Sequence, residues 1–251
     1  MSEGNSNTAM EREDEIRFRS DMTVQLVRSA AQDGDVVFAA RVSTQGEKSL
    51  AVAGEDASER DRGLIRYLMR DRHGSPFEHN SFTFYVEAPI FVFREFMRHR
   101  IASYNEESGR YREMRPVFYT PARDRNLVQV GKPGAYIFEP GTDEQHALVD
   151  ATVREQCTSA YTAYRRMLGA GVAREVARAV LPLTLYSSMY VTINARSLMN
   201  FLSLRTKRDN ATFPSFPQRE IEMVAEQMEE YFKAAMPLTH AAFDEGGRIA
   251  P

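Results

Sequence analysis

Residues 183–205, LTLYSSMYVTINARSLMNFLSLR, decide the fold class. Apolar and polar side chains alternate from Leu183 to Ile193, which is the two-residue period of a β-strand with one buried face. Asn194 is a favoured helix N-cap, and the residues after it place apolar side chains at helical spacing. Strands and helices mix elsewhere in the chain without a regular βαβ alternation, so the sequence predicts an α+β fold.

The same periodicities predict the other elements. Short strands are predicted at Met22–Val27, at Phe82–Val86 and over 116–120. Helices are predicted from Ser58, where Asp61 forms a partial capping box, from Ile90 to His99, over 143–168, over 173–181, and in a last segment that carries Ile221, Val224, Met228 and Phe232. Residues 35–42 fit a helix or a strand. We expect a helix end and a loop over 98–111, and an exposed loop over 123–142.

The composition is that of an ordinary globular protein. Of the 251 residues, 43% are apolar and 27% charged, and the net charge of −3 gives no indication of a nucleic-acid partner. No apolar run is long enough for a bilayer, so no membrane partner is expected. The single cysteine, Cys157, excludes an internal disulfide and indicates a reduced, cytoplasmic setting. Residues 1–20 are polar and predict a flexible extension, which leaves a single domain over 21–251.

Two motifs and the histidines have structural explanations. GAGVAR at 169–174 is close to the dinucleotide motif GxGxxG, but Arg174 replaces the third glycine and the segment follows a helix. We interpret it as a turn between helices. Cys157 lies within a predicted helix with no cation beside it in sequence, and we interpret it as a packing residue. No metal is expected, because none of the histidines has ligand spacing: His73, His79, His99, His146 and His240.

The segment 98–111, RHRIASYNEESGRY, carries the first cluster of candidate functional residues. Two guanidinium groups flank the imidazole of His99, and they repel one another unless an anion or carboxylates lie opposite. The hydroxyl, backbone and guanidinium donors further along are those of a phosphate site, and two tyrosines add stacking planes. These residues are Ser108, Gly109, Arg110, Tyr104 and Tyr111. A solvated run of charges is the alternative interpretation.

A second cluster lies on the helix that follows the clearest strand. Arg196 and Asn200 are four residues apart and share a polar face, whereas Arg205 lies at the helix end. Arg174 and Arg178 are also four apart, on a short helix. Arginines beside apolar segments indicate bound anions, and ordinary surface arginines are the alternative.

Several stretches carry a family resemblance. The pattern RHRxxSxxxxSxR, with six fixed positions over thirteen residues, is matched from Arg98 to Arg110. HGSPFEHNSFTFYV, REVARAVLPLTLY and NARSLMNFLSLR are similar to the same family, in the same chain order. Over residues 22–245 the chain thus resembles the flavin-dependent thymidylate synthases.

The resemblance implies a reaction and an assembly. Members of this family convert dUMP to dTMP, with methylenetetrahydrofolate as carbon donor, NADPH as reductant and FAD as hydride carrier. They are homotetramers with sites shared between subunits, and their fold is an antiparallel or mixed sheet flanked by helices that is not a Rossmann fold. We therefore expect FAD as cofactor, dUMP and a folate as small-molecule substrates, and self-association to a homotetramer.

The resemblance also implies site residues by position. The expected FAD contacts are Ser75, Arg98, His99, Arg100, Glu106, Asn194, Arg196 and Asn200. The expected dUMP contacts are Glu95, Phe96, Met97, Arg98, Glu106, Glu107, Ser108, Gly109, Arg110, Arg178 and Arg205. Glu95 stands where some members carry Gln. His73 and Tyr111 match positions near the flavin, where folate or nicotinamide stacks.

Within this set, Arg205 is expected to be the catalytic residue. A guanidinium at the uracil edge would stabilise the negative charge that develops on O2 and N3. Ser108 is expected to bind phosphate and not to attack uracil, because no histidine or lysine lies within a few residues to act as a base. After Arg205, no histidine matches the one that reaches the cofactor in some members.

Two other functions are alternatives to catalysis. One is a nucleotide-binding regulatory module that has kept the fold and lost the activity. The other is a nucleic-acid patch around 94–112, which predicts steeply salt-dependent binding. The intact motif argues against the first, and the interleaved glutamates and negative net charge argue against the second.

Overall fold

The computed structural model describes residues 15–132 and 135–251, which form two compact units. Unit 1 contains residues 15–21, Glu87–Arg94 and Glu106–Ser188, and unit 2 contains Met22–Val86, Glu95–Asn105 and Met189–Pro251. Most of the extension predicted over 1–20 lies outside the described residues, but its last part forms a strand. The single domain expected over 21–251 stays a prediction.

Eight strands and eight α-helices alternate irregularly along the described residues. The strands are β1 Arg17–Arg19, β2 Thr23–Ala30, β3 Ser81–Pro89, β4 Ser103–Glu106, β5 Val117–Tyr119, β6 Val128–Lys132, β7 Ala135–Glu139 and β8 Tyr186–Ile193. The α-helices are α1 Asp33–Gln45, α2 Arg62–Arg70, α3 Ile90–Phe96, α4 Asp143–Gly169, α5 Arg174–Ala177, α6 Ala195–Arg205, α7 Arg219–Ala235 and α8 Pro237–Glu245. Short 3-10 helices lie at Gly46–Val52, Glu59–Asp61, Ser75–Glu78 and Arg178–Val180.

The predicted α+β class is confirmed. A four-stranded sheet, whose strands lie mainly in unit 2, has the order β2-β3-β8-β4. In unit 1, β1 pairs with β5 in parallel, and β6 pairs with β7 antiparallel. Helix α7 packs against β2, and α6 packs against α7. No helix in the described part of the chain is long and apolar enough to cross a bilayer.

Two strands show the alternation of buried and less buried residues that their sequences predict. In β3, the side chains of Phe82, Phe84 and Val86 are fully buried, and the residues between them are not. In β8, Met189 and Val191 are buried, and the strand begins three residues later than the alternation predicts. A strand with one buried face keeps this register, because a shift of one residue would expose every apolar side chain.

Two helix starts in unit 2 depend on side-chain acceptors. The Oδ1 atom of Asn194 accepts a hydrogen bond from the Ser197 amide at 2.9 Å, which confirms the predicted N-cap of α6. The buried carboxylate of Asp33 accepts hydrogen bonds from the Leu238 amide and from the amide and hydroxyl of Thr239. Asp33 thereby joins α1 to the first turn of α8, and its burial raises its pKa.

The core of unit 1 is built on the long helix α4, which confirms the helix predicted over 143–168. Its buried residues Cys157, Tyr161 and Tyr164 pack with the buried side chains of Met114, Phe118, Ala177 and Leu185. The Cys157 thiol, only 2% exposed, lies 3.3 Å from the Thr184 hydroxyl, and burial raises its pKa. The buried position of Cys157 confirms its predicted role as a packing residue. The GAGVAR motif is a turn between α4 and α5, with Gly171 at a φ of +80°.

Four sequence expectations need correction. Residues 103–106 form strand β4, so 98–111 is not simply a helix end and loop, and the helix that starts at Ile90 ends at Phe96. The expected loop 123–142 contains the β6–β7 hairpin, whose residues 133–134 lie outside the described part of the chain. Helix α8 was not predicted, because Pro237 stands two residues after the end of α7, where proline usually indicates that a helix has ended.

Candidate functional site

The predicted site residues are divided between the two units. Unit 2 holds His73, Ser75, Glu95, Phe96, Met97, Arg98, His99, Arg100, Asn194, Arg196, Asn200 and Arg205. Unit 1 holds Glu106, Glu107, Ser108, Gly109, Arg110, Tyr111 and Arg178.

Three predicted residues of unit 2 meet at the end of α6. The guanidinium of Arg205, the last residue of that helix, donates from Nη1 to Oε2 of Glu95 at 2.6 Å and from Nε to Nε2 of His99 at 3.0 Å. The side chains of Arg205 and Glu95 are only 19% and 25% exposed. An arginine can only donate, so His99 must present an unprotonated ring nitrogen to it.

The electrostatics of this trio agree with that assignment. Burial, with a smaller contribution from the Arg205 charge, lowers the pKa of His99 to about 4. Burial also raises the pKa of Glu95, with Arg205 opposing the change and Glu220 adding to it. His99 in this trio is therefore a neutral imidazole at neutral pH, beside the guanidinium of Arg205.

Aromatic packing holds His99 in place. The ring of Phe201 stacks on Phe96 with centroids 4.8 Å apart and meets the His99 ring edge-on at the same distance. Both phenylalanines are 1% exposed, so the Phe96 side chain is occupied in packing. The Tyr104 hydroxyl lies 3.0 Å from the carbonyl oxygen of Phe96 and 2.7 Å from that of His99, and it shares its proton between them.

The two arginines of the motif project into solvent. Arg98 and Arg100 are both exposed, and neither guanidinium has an ion pair or hydrogen bond to another described residue. The side chain between α3 and Arg98, Met97, is 47% exposed. Two unpaired cations on one short turn form a candidate anion site, because each can still donate all of its N–H groups.

A second group in unit 2 surrounds Arg196. Its Nη1 donates to Oε1 of Glu78 at 2.5 Å, and its Nε donates to the carbonyl oxygen of Pro251 at 2.6 Å. Gly74 lies against it, since an added Cβ would stand 2.4 Å from the guanidinium. The side chains of Ser75 and Asn200 are exposed.

His73 and Asn194 have different surroundings. The ring of His73 is exposed and stacks on Tyr67, with centroids 5.6 Å apart and planes inclined by 25°. The carbonyl oxygen of the Asn194 side chain caps α6, so its NH₂ group is the donor that remains for a ligand.

In unit 1, two consecutive glutamates pair with two consecutive serines. The Glu106 carboxylate accepts from the Ser187 hydroxyl at 2.9 Å, and the Glu107 carboxylate accepts from the Ser188 hydroxyl at 3.2 Å. Burial raises the pKa of Glu106, and the neighbouring charge of Glu107 adds to this. The Oε1 atom of Glu107 is buried with no well-aligned donor among the described residues, although Arg112 Nε lies 3.1 Å away.

The predicted phosphate donors form a tight turn. The amides of Tyr111 and Arg112 both donate to the carbonyl oxygen of Ser108. Gly109 is enclosed, because an added Cβ would stand 3.0 Å from Met114 Sδ and 3.3 Å from Arg178 Cδ. The turn thus brings Arg178 next to Gly109.

The side chains around this turn are accessible. The Arg110 Nε donates to Glu175 at 3.1 Å, and these side chains are 53% and 55% exposed, so the pair is weak and exchangeable. The Tyr111 side chain is 77% exposed. The Ser108 hydroxyl accepts from the Arg110 amide at 3.3 Å, and no described histidine or lysine forms a hydrogen bond with it.

Sequence reasoning missed Ser187, Ser188, Glu78 and Thr206 as neighbours of these residues. Two consecutive serines, which interrupt the alternation of apolar and polar residues in β8, were the signal available for the first pair. A cavity of about 520 Å³ in unit 1 is lined by Glu113, Arg165 and Arg174, and it contains none of the residues expected to contact FAD or dUMP. No cluster of metal-ligating side chains occurs in the residues that the structure describes.

Comparisons with known proteins give consistent relatives. Residues 25–238 match the family model described as thymidylate synthase complementing protein. A flavin-dependent thymidylate synthase from Streptomyces coelicolor is 66% identical over 237 residues, which cover 94% of this chain and 96% of that protein. One from Tropheryma whipplei is 62% identical over 93% of this chain and 97% of its own length. The crystal structure of the UMP/dUMP methylase PolB from Streptomyces cacaoi, bound with 5-Br dUMP, matches with a TM-score of 0.87 at 54% identity, covering 94% of this chain and 100% of that one.

Proposed function

The chain belongs to the flavin-dependent thymidylate synthase family, and on this premise we propose that it catalyses the reductive methylation of dUMP to dTMP. Methylenetetrahydrofolate is the carbon donor and NADPH the reductant, and FAD supplies the hydride-transfer chemistry when it is bound. The observation that carries this proposal is the contact of Arg205 with a neutral His99 and with Glu95.

The residues of unit 2 fit a flavin dinucleotide. Its pyrophosphate is anionic, and the exposed guanidinium groups of Arg98 and Arg100 have no carboxylate partner among the described residues. Gly74 lets the guanidinium of Arg196 lie against the backbone, where any larger residue would displace it. We therefore propose that these groups bind FAD together with Ser75, His99, Asn194 and Asn200 of the same unit. Glu106, which belongs to unit 1, stays an expected FAD contact. His73 and Tyr111 keep their proposed role as stacking surfaces for folate or nicotinamide.

Unit 1 supplies donors for the phosphate of dUMP. The phosphate is a dianion, and the turn around Gly109 offers the Ser108 hydroxyl together with the side chain of Arg110. Arg178 lies beside this turn, within 3.3 Å of a Cβ placed on Gly109. Because the ion pair of Arg110 with Glu175 is solvent-exposed, exchanging it for a phosphate costs little. Glu107, which accepts from the Ser188 hydroxyl, is proposed to contact dUMP away from the phosphate, because a carboxylate can only accept.

Arg205 is proposed to act on the uracil ring. Two of its five N–H groups bond His99 and Glu95, which leaves three for the O2 and N3 edge of uracil. A guanidinium held there favours the anionic form of the ring, and negative charge at that edge increases the electron density at C5. The neutral His99 orients the arginine without adding a competing cation.

We also propose a cytoplasmic homotetramer with cofactor sites at subunit interfaces. Helix α3 buries Phe93 and Phe96 within its own chain, so these two side chains are not available to a subunit interface. The exposed apolar side chains of Met97 and Ile101, which are 47% and 73% exposed, flank the motif arginines instead and suit an interface. FAD-loaded protein that remains monomeric in light scattering would contradict this assembly.

Replacing Arg205 by Lys tests the proposed function. Lysine keeps the charge but loses the planar fork, so dTMP formation should fall by about 10²–10³-fold. FAD content and dUMP-independent NADPH oxidation should remain. Arg219→Lys, which alters a 43% exposed arginine paired with Glu222 and Glu226, is the matched control and should retain activity.

Two outcomes would contradict the proposal. Loss of bound flavin in a correctly folded Arg205→Lys variant would move this residue to the cofactor site. Wild-type protein that takes up no FAD when it is supplied would favour the regulatory module over an enzyme.

A further inference from the structure

A buried arginine of unit 2 contacts the residue that follows Arg205. The side chain of Arg248 is 2% exposed, and its Nη2 donates to Oγ1 of Thr206 at 2.9 Å. Its Nη1 pairs with Glu229 at 2.7 Å and with Asp244 at 2.9 Å. A buried guanidinium destabilises a protein unless its charge is paired, and here both Nη atoms are bonded whereas the buried Nε has no hydrogen-bond partner among the described residues.

Thr206 is fixed at each of its polar atoms. It is the C-cap of α6 and is 1% exposed. Its amide and its hydroxyl both donate to the carbonyl oxygen of Leu202, at 3.0 and 2.7 Å, and its own carbonyl oxygen accepts from the Ser215 hydroxyl at 2.5 Å. These hydrogen bonds of Thr206 fix the direction of the backbone immediately after Arg205.

The turn that carries Arg248 has an unusual backbone. Arg248 has a φ of +59°, a left-handed conformation that non-glycine residues rarely adopt. Gly247 before it has a φ of +71°, and an added Cβ would stand 2.0 Å from the Thr212 hydroxyl. The Thr212 amide donates to the Gly247 carbonyl oxygen at 2.9 Å. The turn at Gly247 and Arg248 therefore packs against and bonds the segment 206–217. No sequence pattern assigns a role to that segment.

The charges around Arg248 keep it in place. Although burial opposes ionisation, hydrogen bonds from His240 and Arg248 and the charge of Arg208 lower the pKa of Glu229 to about 2. Glu229 is therefore a carboxylate at any pH at which the enzyme is assayed, and the partner of Arg248 does not change charge. The Arg248 guanidinium also lies over the Phe243 ring, 4.8 Å from its centroid.

We propose that Arg248 is a positioning residue which, through the Thr206 hydroxyl, fixes the orientation of Arg205. The inference rests on the proposed function, in which Arg205 contacts the uracil edge. When the end of α6 is fixed, the guanidinium of Arg205 needs little reorganisation to bond O2 and N3 of uracil. A misplacement of this group by about 1 Å can reduce turnover by as much as 10²-fold. Arg248 touches no reacting atom in this arrangement.

Thr206→Val tests the inference with little change of shape. It removes the hydroxyl that Arg248 bonds, and dUMP affinity should fall about tenfold with a further decrease in kcat, while the FAD content is unchanged. Thr206→Ser keeps the hydroxyl and should behave as wild type. Arg248→Met should produce the same dUMP defect, and the double variant should be no worse than Arg248→Met alone. If Arg248→Met does not fold, the valine and serine variants still decide the matter.

A stability-matched control separates positioning from general destabilisation. Asp33→Asn weakens the anchor of α8 in the same unit, and it should lower the melting temperature without changing dUMP affinity. A dUMP defect in Asp33→Asn as large as that in Thr206→Val, or one shared by Thr206→Ser, would overturn the inference. If Thr206→Val binds dUMP normally while Arg205→Lys has lost turnover, the inference about Arg248 is wrong but the proposed role of Arg205 stands. Normal turnover in Arg205→Lys would remove the proposed role of Arg205 and the inference with it.

Discussion

Acidification should cost the wild-type protein more stability than it costs a His99→Gln variant. Burial, with a smaller contribution from the charge of Arg205, lowers the pKa of His99 from 6.5 to about 4, and the neutral ring accepts a hydrogen bond from Arg205. The unfolded chain therefore binds a proton at His99 before the folded protein does. The stability contributed by the neutral ring is fully present above pH 6.5 and is lost as the pH falls toward 4.

The size of the effect follows from that lowered pKa. By linkage, the loss between about pH 7.5 and about pH 5 is about 2 kcal/mol, and partial solvent access of the ring reduces it to about 1–2 kcal/mol. Glutamine can still accept from Arg205 but does not titrate, so the variant should lack this part of the pH dependence. The contribution of His99 is the loss of unfolding free energy in the wild type minus the loss in the variant. Acid effects on other groups are the same in both proteins and cancel.

Urea unfolding of both proteins at the two pH values, at constant ionic strength, measures this quantity. Equal losses of unfolding free energy in wild type and variant would show that the folded protein protonates His99 as readily as the unfolded chain. In that case His99 would be cationic beside Arg205, and the interpretation of this trio would be wrong. The predicted outcome also means that His99 does not act as a general acid near neutral pH.

Two further predictions concern α6 and the surroundings of Arg196. Asn194→Ala removes the N-cap of α6 and should lower the free energy of unfolding by about 1 kcal/mol in urea denaturation. Asn194→Ser, which can also cap the helix, should retain most of this stability. An unchanged denaturation midpoint for the alanine variant would argue against the cap. Gly74→Ala should displace the Arg196 guanidinium and weaken FAD binding roughly tenfold in a flavin fluorescence titration, because a charge-assisted hydrogen bond is lost. Gly63→Ala, where an added Cβ meets nothing within 4 Å, is the control, and equal FAD affinity in both alanine variants would remove Arg196 from the cofactor site.

The sequence predicted elements whose stability is local and missed those defined by pairing. Alternation in β3 and helical spacing in α7 record burial directly, so both were found. Strand β4 has the sequence SYNE, which has no apolar alternation, and only its partner in the sheet makes it a strand. The hairpin β6–β7 was hidden by the glycines and prolines around it, which indicate a loop when pairing is unknown.

The candidate site shows the same division. The residue types and their order carried the family resemblance, and with it the proposed assignments. The contact of Arg205 with Glu95 and His99 joins residues more than a hundred positions apart, and no local pattern predicts it. The contact of Arg248 with Thr206 was hidden for a second reason, because an arginine after two glycines suggests an exposed end rather than a buried ion pair.

The Tyr104 hydroxyl bonds the carbonyl oxygens of Phe96 and His99, and burial raises its pKa to about 12, so it remains a donor at physiological pH. The turn that carries Arg98 and Arg100 is thus ordered when the chain folds rather than when a ligand arrives. Conformational entropy of that backbone is lost before binding, and an anion that docks there has only the two side chains left to immobilise, at about 0.5–1.5 kcal/mol each. Affinity at this turn is therefore set mainly by charge and hydrogen bonding, and a ligand small enough to contact only one arginine retains much of the advantage of a prearranged site.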